Sequence, residues 1–373
     1  MFFYAVFAST PLLVALAVKL YYQCPIDEDK RAKRAFLFFS GLILFLVIAL
    51  RDKGVGSADS FNYYRHWDNM AFRNFEGLKE NIAKSPMEPG YLCTVWVLSK
   101  IFPNPQNVFV FSGLLFTVSV CLFIYRNSPN VLLSFIMFIT WGMYSFMVQG
   151  LRQAIAISIC LFAIESVKKR KFFVFLLQIL LAMCYHKSAI VFAMVYFIPW
   201  KKLSLVNNIL MLSAAALLIA SSPIIIYVGN EILQSNYNRA FESGGLVTWI
   251  LHIILIAGSF FFVRHYVRVA DGVDYKVRLL GTEQDRQRES LFVTLAVIGF
   301  AFYTMRYTGI GAMERISFYF LCAQIITLPI IISRFDKGSR FIICAFAIIL
   351  SILLFMYRVE TTGLVPYKFF FLD

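Results

Sequence analysis

Long apolar runs constrain this chain more than any other feature of its sequence. They lie at 1–22, 35–50, 90–102, 107–125, 131–149, 152–167, 172–185, 188–200, 204–221, 247–264, 290–306, 316–333 and 341–357. A helix that crosses a bilayer needs about 20 apolar residues, with ~17 at the short end. Only 15% of the residues are charged, against about 25% in soluble domains. The pattern predicts an all-α polytopic membrane protein, with residues 1–373 forming a single integral membrane domain.

The basic residues indicate which helix ends face the cytoplasm. The formal net charge is +14, and the most basic connections are 30–34, 168–171, 201–202 and 264–288. An excess of Lys and Arg in short loops marks the cytoplasmic side of a membrane protein. We therefore assign these connections to the cytoplasm, with 264–289 as the main cytoplasmic loop. The positive charge then reflects membrane topology, and we expect no nucleic-acid partner.

When the membrane crossings between the cytoplasmic loops are counted, one apolar run, 90–102, cannot cross the membrane. The run 35–50 leaves the cytoplasm and puts Arg51 outside, and counting back from Lys168 puts Pro103 outside as well. Both ends of 90–102 then lie on one side. As a helix, its 13 residues would rise only ~20 Å against a ~30 Å hydrocarbon core. We predict about 12 transmembrane helices with both termini outside, and an outer segment 51–106 that contains a re-entrant or interfacial helix.

The runs 172–185 and 188–200 are also short for membrane crossings. The pair forms either two short crossings with a recessed outer tip or a helical hairpin that dips in from the cytoplasmic side. Both alternatives place His186 at the apex, below the outer surface.

The sequence contains no motif for a metal, a nucleotide or a redox cofactor. Its 7 cysteines include no Cys-x-x-Cys pair, and it has no Walker loop, Gly-x-Gly-x-x-Gly or His-Glu-x-x-His. These patterns give no signal for metal, nucleotide or redox chemistry.

Arginines at the predicted outer helix ends suggest a diphosphate ligand. Arg152 and Arg315 each begin an apolar run, where a cation opposes the helix dipole, and Arg51 ends one. A guanidinium can donate to two phosphate oxygens at once, and free N–H groups at a helix N-terminus add to an anion site. Two structural alternatives stay open. Arg51 can be an interfacial anchor, and Arg315 can form a salt bridge with Glu314.

Acidic and imidazole groups near the same ends are candidates for the chemistry. Glu88 precedes Pro89, where it either interacts favourably with a helix N-terminus or acts as a base or sugar ligand. Asp59, near Tyr63, is either a turn residue or part of a carbohydrate site. His186 can accept a proton near neutral pH. We predict that His186 positions or deprotonates a hydroxyl group, with Glu88 as the competing base.

In chain order, these residues resemble the EpsG-like, Wzy-type polymerases of bacterial polysaccharides. The resemblance rests on Arg51, Gly56 with Asp59 and Tyr63, Glu88-Pro89-Gly90-Tyr91, Arg152-Gln153-x-Ile155-Ala156, His186-x-Ser188-Ala189, Arg315 with Tyr319-Phe320, and Pro366-Tyr367. It covers nearly the whole chain. One departure is that Ala58 separates Ser57 from Asp59, where the acid is expected directly after the small polar residue.

The resemblance implies a glycosyltransferase-C-like enzyme of the bacterial cytoplasmic membrane. Such a polymerase transfers a growing glycan from undecaprenyl diphosphate to a lipid-linked oligosaccharide repeat unit at the outer face. The resemblance also implies that it uses no metal, no nucleotide-sugar and no other cofactor. The expected partners are these lipid-linked oligosaccharides, membrane lipids and a regulator of chain length. The catalytic candidates are His186 and Glu88, and the substrate-binding candidates are Arg51, Asp59, Tyr63, Tyr91, Arg152, Gln153 and Arg315.

Two other functions fit parts of the sequence. A flippase for lipid-linked oligosaccharides is one, although transporters often show internal repeats and helices broken at the membrane midplane. The distinctive polar residues here lie at predicted outer helix ends, which favours an enzyme. An integral membrane acyltransferase, which would also use His and Arg, is the other.

Overall fold

Helices make up nearly all of the ordered structure, as the sequence predicts. The computed structural model describes residues 1–56, 58–198, 246–264, 283–308 and 311–372, and a few positions between 213 and 221. Within these ranges the β-structure is one isolated bridge, between Arg51 and Phe369. The chain divides into two compact units, the first comprising Met1–Tyr196 and Ile348–Asp373 and the second Phe197–Ala347.

The first unit begins with ten α-helices and a 3₁₀ helix. They are α1 (Phe2–Tyr22), α2 (Lys30–Ala49), α3 (Ala58–Ala71), α4 (Phe75–Lys84), α5 (Pro89–Ile101), α6 (Asn107–Asn127), α7 (Val131–Thr140), α8 (Met143–Gln149), α9 (Leu151–Lys168), α10 (Phe172–Met183) and the 3₁₀ helix Lys187–Tyr196. The second unit contains α11 (Leu246–Arg264), α12 (Glu283–Met305), a 3₁₀ turn (Arg306–Thr308), α13 (Gly311–Leu321) and α14 (Gln324–Ile332). The boundary between the units falls inside α15 (Lys337–Val359).

Among the described residues, five helices are long and apolar enough to cross a membrane, and the number rises to seven if two bent pairs each count as one span. The five are Phe2–Tyr22, Lys30–Ala49, Asn107–Asn127, Arg288–Met305 and Lys337–Thr362. The total of about 12 crossings stays a prediction. One predicted crossing, 204–221, and the loop 264–289 lie largely outside the described residues.

Two runs that the sequence presents as continuous are bent in the structure. The run 131–149 divides into α7 and α8, which meet at 49°, and α13 and α14 meet at 45°. At the first bend Gly142 has a φ of +91°, a conformation that residues with a Cβ rarely adopt. The indole of the preceding Trp141 donates to the Ser351 hydroxyl at 3.0 Å. The run 131–149 is therefore a broken span or a re-entrant segment, and its crossing of the membrane stays a prediction.

The contacts of α2 confirm that Arg51 and the 103–107 corner lie at the same end of the helices. The side-chain amide of Gln106 donates to the carbonyls of Ala49 and Arg51 at 2.6 and 2.9 Å. Helix α5, with 13 residues, lies between these segments in the sequence, and its non-spanning character stays a prediction.

The chain termini lie at this same end. The Tyr4 hydroxyl near the start of α1 donates to the Leu364 carbonyl at 2.9 Å. The N–H of Asp52 donates to the Lys368 carbonyl at 2.8 Å, and that of Phe370 to the Leu50 carbonyl at 3.0 Å. The C-terminal segment thus ties the first turn of α1 to the segment that follows α2, as expected if both termini share a side with Arg51.

Two of the basic connections lie at the opposite end of the first unit. The Lys33 ammonium donates to the Ser128 carbonyl at 3.0 Å, and the Lys168 ammonium donates to Asn127 Oδ1 at 3.0 Å. The loops 30–34 and 168–171 therefore flank the same α6–α7 connection. Their shared position agrees with the assignment of both loops to one side.

The helix α10 and the 3₁₀ helix form a hairpin that starts and finishes at this basic end. Tyr196 donates its hydroxyl to the Arg170 carbonyl at 2.9 Å, and Arg170 Nη1 donates to the Tyr196 carbonyl at 3.2 Å. Helix α10 has 12 residues and rises ~18 Å, whereas its neighbour α9 has 18 residues and rises ~27 Å. The tip, which carries His186, follows the shorter of the two helices, and its recessed position stays a prediction.

Candidate active site

A buried carboxylate, Glu88, connects three segments that are far apart in sequence. It immediately precedes α5 and is only 5% exposed. Arg152 at the start of α9 donates from Nη1 to Oε2 of Glu88. His186 Nδ1 lies 3.1 Å from Oε1, and the backbone N–H of Lys187 lies 3.4 Å from the same oxygen. Both catalytic candidates and one predicted phosphate ligand therefore meet at one point.

Close backbone packing between α5 and the hairpin tip makes this meeting possible. The N–H of Gly90 donates to the Cys184 carbonyl at 2.8 Å. A Cβ on Gly90 would lie 2.7 Å from that oxygen, closer than real Cβ contacts come. One turn further along α5, the Thr94 hydroxyl lies 2.8 Å from the Tyr185 hydroxyl. Glycine at position 90 thus allows the tip to approach α5 closely enough for His186 to reach Glu88.

Glu88 is ionised at neutral pH. Burial alone would raise its pKa, but the hydrogen bond with His186 and the positive charge of Arg152 lower the pKa of Glu88 to about 2. Although Glu88 is the N-cap residue of α5, its side chain makes no capping hydrogen bond. The Glu88 side chain therefore does not cap the N-terminus of α5. Its two oxygens point to Arg152 and His186 instead.

The ionised carboxylate fixes the tautomer of His186. An ionised carboxylate only accepts hydrogen bonds, so the Nδ1 that faces it carries a proton. In the neutral ring, Nε2 is then an acceptor. The side chains of His186 and Arg152 are each 26% exposed, whereas that of Glu88 is 6% exposed. A ligand can reach the imidazole and the guanidinium but has little access to the carboxylate.

Two tyrosines and a second histidine extend the cluster along α5. Tyr91 is buried, and its hydroxyl lies 3.4 Å from His66 Nδ1. The Tyr63 ring packs edge-on against the Tyr91 ring, with the centroids 5.8 Å apart. Burial, together with the charges of Arg152 and Arg65, lowers the pKa of His66.

The sequence analysis did not single out His66. A signal was present, because Tyr63 and His66 are three positions apart and therefore share one face of α3.

Arg51 lies outside this cluster and is almost completely buried. It is 1% exposed, and its Nη1 donates to Ser60 Oγ at 3.0 Å and to the Val55 carbonyl. The guanidinium stacks on Phe109, 3.9 Å from the ring centroid. Gly56, at φ +113°, passes so close that a Cβ would lie 2.8 Å from Nη1. Burial lowers the pKa of Arg51 to about 10, which leaves it charged at neutral pH. These contacts tie Arg51 to Val55 and Ser60 and leave its side chain nearly inaccessible to solvent.

The remaining candidates are distributed over both units. Gln153 is buried on α9 beside Arg152. Asp59 belongs to α3, but its side chain lies outside the described part of the chain. Arg315 is exposed on α13 in the second unit. The Glu314 carboxylate accepts from Arg306 Nη1 at 2.6 Å, an ion pair that the sequence analysis did not predict.

Within the described ranges, no three His, Cys, Asp or Glu side chains approach closely enough to hold a metal ion.

Comparison with known proteins identifies the family. The EpsG family model matches residues 34–369, a range that includes every candidate residue named above. The chain belongs to the EpsG family. This is a Wzy-type polysaccharide polymerase-like family, so the resemblance inferred from the short motifs is confirmed. Membership supports a polysaccharide polymerase-type role in a membrane. Searches of curated proteins and of solved structures find no match.

Proposed function

We propose that this EpsG-family protein is a glycosyltransferase that lengthens a polysaccharide on a lipid carrier, with Glu88, Arg152 and His186 in its active site. The donor is a growing glycan on undecaprenyl diphosphate, and the acceptor is a lipid-linked oligosaccharide repeat unit. The observation that carries the proposal is the shared carboxylate, which accepts from Arg152 and contacts His186 Nδ1 at 3.1 Å.

In this reaction an acceptor hydroxyl attacks the anomeric carbon of the donor sugar. The new glycosidic C–O bond forms while the bond from that carbon to the diphosphate oxygen breaks, and the lipid diphosphate leaves with the electron pair. The hydroxyl loses its proton, and negative charge builds up on the departing diphosphate. The site therefore needs a proton acceptor and a cation close together.

His186 supplies the proton acceptor. With Nδ1 directed at Glu88, Nε2 is available to take the acceptor proton. A base that a third group orients is a recurring arrangement in enzymes that activate a weak nucleophile. Glu88 then acts as the positioning residue for His186, since a carboxylate with a pKa of about 2 is a poor base at neutral pH.

Arg152 supplies the cation. A guanidinium has five N–H donors, and one of them is directed at Glu88. The others can bind phosphate oxygens, because the side chain remains 26% exposed. Arg315, exposed near the start of α13 in the second unit, stays a separate candidate for binding diphosphate.

The outer membrane face is the proposed location. The loops 30–34 and 168–171 flank the α6–α7 connection, whereas Arg152 lies in the first turn of α9, at the other end of that helix. The positive-inside rule assigns the basic loops to the cytoplasm. The site then faces outwards, recessed at the hairpin tip.

A flippase remains the second candidate, because the bend at Gly142 produces a broken helix of the kind that transporters use. One assay separates the two functions. Purified full-length protein in detergent, given lipid-linked oligosaccharide, has no second compartment into which to move its substrate. Longer lipid-linked glycans detected by mass spectrometry would support a polymerase. Unchanged glycans, from protein shown to be folded, would contradict it.

A further inference from the structure

A polar cavity lies beside the candidate active site, between α3, α4 and α5. Its volume is about 340 Å³. The polar lining residues are His66, Asn69, Arg73, Glu80, Asn81, Lys84 and Ser85, and Met70 and Leu92 add buried apolar surface. This volume is at the low end of the usual range for small-ligand sites. The polar lining does not suit a polyprenyl tail.

The lining combines hydrogen-bond donors with acceptors. Asn69 and Asn81 each offer an amide that donates and accepts, and Glu80 adds an acceptor next to the donors of Arg73. Glu80 also pairs with Lys84 at 2.6 Å, so the cations here are partly balanced. A site built for phosphate alone would concentrate donors. Mixed donors and acceptors over an apolar floor match a sugar, whose hydroxyl groups do both and whose C–H faces are apolar.

Two residues of the cavity wall contact the active-site cluster. The wall includes His66, whose Nδ1 lies 3.4 Å from the Tyr91 hydroxyl. Leu92, also in the wall, lies one turn of α5 after Glu88, and its N–H donates to the Glu88 carbonyl at 3.2 Å. The part of the wall formed by Leu92 therefore lies one helical turn, ~5.4 Å, along α5 from Glu88.

We propose that this cavity binds a sugar of the oligosaccharide repeat unit and holds that glycan in place while its reactive end lies at His186. The inference rests on the proposed polymerase function and adds to it a subsite for the carbohydrate. The subsite is separate from the diphosphate contacts of Arg152.

The test measures binding of free oligosaccharide to the purified full-length protein in detergent. The probe is the oligosaccharide released by mild acid from the lipid-linked repeat unit that accumulates when this protein is deleted from its host. In Asn69→Ala/Asn81→Ala two amides that can bond to the sugar are lost. With each hydrogen bond worth a factor of about five, we expect the Kd to rise at least tenfold. Asn62→Ala is the matched control, because Asn62 is exposed on α3 outside the cavity. It should bind like wild type.

The outcomes separate this inference from the proposed function. The sugar subsite is overturned if the oligosaccharide binds wild type and the double variant equally. It is also overturned if the oligosaccharide does not bind wild type at millimolar concentration. If binding depends on Asn69 and Asn81 but wild type never elongates a glycan, the subsite stands and the polymerase function fails. With elongation intact, the double variant should show a raised KM for the acceptor and a kcat close to wild type.

Discussion

At the residue scale, the structure changes the relation between His186 and Glu88. The sequence presented them as competing bases, but both oxygens of Glu88 have partners in Arg152 and His186. We expect His186→Gln to reduce elongation by ~10²–10⁴-fold while lipid-linked substrate still binds, because general-base help is typically of this size.

A double variant decides whether the two residues act as a unit. If Glu88 only orients His186, His186→Gln/Glu88→Gln elongates no more slowly than His186→Gln alone, since residues that act together are non-additive. The measurement is single-turnover elongation by the three variants. Independent, multiplicative losses would restore Glu88 as a second base.

The low pKa of Glu88 predicts how stability depends on pH. A folded-state pKa of about 2, against an ordinary value of 4.5, means that the ionised form contributes stability above pH 4.5 and loses it as pH falls towards 2. Thermal unfolding in detergent from pH 7 to 3 should show this loss in wild type. Glu88→Gln should lack the part of this acid-dependent loss of stability that comes from protonation of Glu88. The same acid dependence in both proteins would contradict the ion pair.

Lysine variants distinguish the roles of two arginines. Arg152→Lys keeps the charge but loses the planar fork, so elongation should fall while the melting temperature changes little.

Arg51→Lys cannot both bond to Val55 and Ser60 and stack on Phe109, so it should lower the melting temperature. Exposed Arg65→Lys is the control and should match wild type. A stable Arg51→Lys with impaired binding of undecaprenyl diphosphate would return Arg51 to the substrate site.

At the element scale, the contact between α5 and the hairpin tip depends on Gly90. Adding a methyl group at Gly90 forces the Cys184 backbone away, and overpacking of this kind costs about 1–3 kcal/mol. Gly90→Ala should therefore lower both the melting temperature and the elongation rate, since His186 lies two residues beyond Cys184. Gly338→Ala is the control, because a Cβ there meets nothing within 4 Å. Normal elongation by Gly90→Ala would show that the tip position does not control the chemistry.

An element could be predicted from the sequence when the pattern that indicates it lies within the residues of that element. The short helix α5, Pro89–Ile101, was predictable from the apolar run 90–102. Helix α3 was missed because its polar sequence resembles a loop, although Tyr63, Trp67 and Met70, all buried, repeat at i, i+4 and i+7. The bend after Trp141 has no comparable local signal, because an isolated glycine in an apolar run does not reveal its φ angle.

The candidate site was only partly predictable, for the same reason. His186, Glu88 and Arg152 were each identifiable as polar groups at the ends of apolar runs. Their shared hydrogen bonds were not, because 64 and 98 positions separate Glu88 from its two partners. The burial of Arg51 was not visible in the sequence. Its position next to a predicted interface was visible in the sequence, but the loop that covers it depends on tertiary packing.

At the scale of the whole molecule, the contacts determine which segments share an end and which lie opposite. Arg51, the 103–107 corner and both chain termini meet at one end. The loops 30–34 and 168–171 lie at the other end. Which end faces outwards rests on the positive-inside rule, which is a bias and can be tested directly.

Accessibility of engineered cysteines gives that test. Gln106 is a poor reporter because it is buried and bonded to Ala49, whereas Asn104 in the same corner is exposed. In a Cys184→Ser background, since Cys184 is exposed, we expect an impermeant maleimide to label Asn104→Cys in intact spheroplasts. Lys171→Cys, exposed in the basic loop, should react only after lysis. The reverse pattern would place His186 on the cytoplasmic side, and polymerisation at the outer face would then be impossible with this structure.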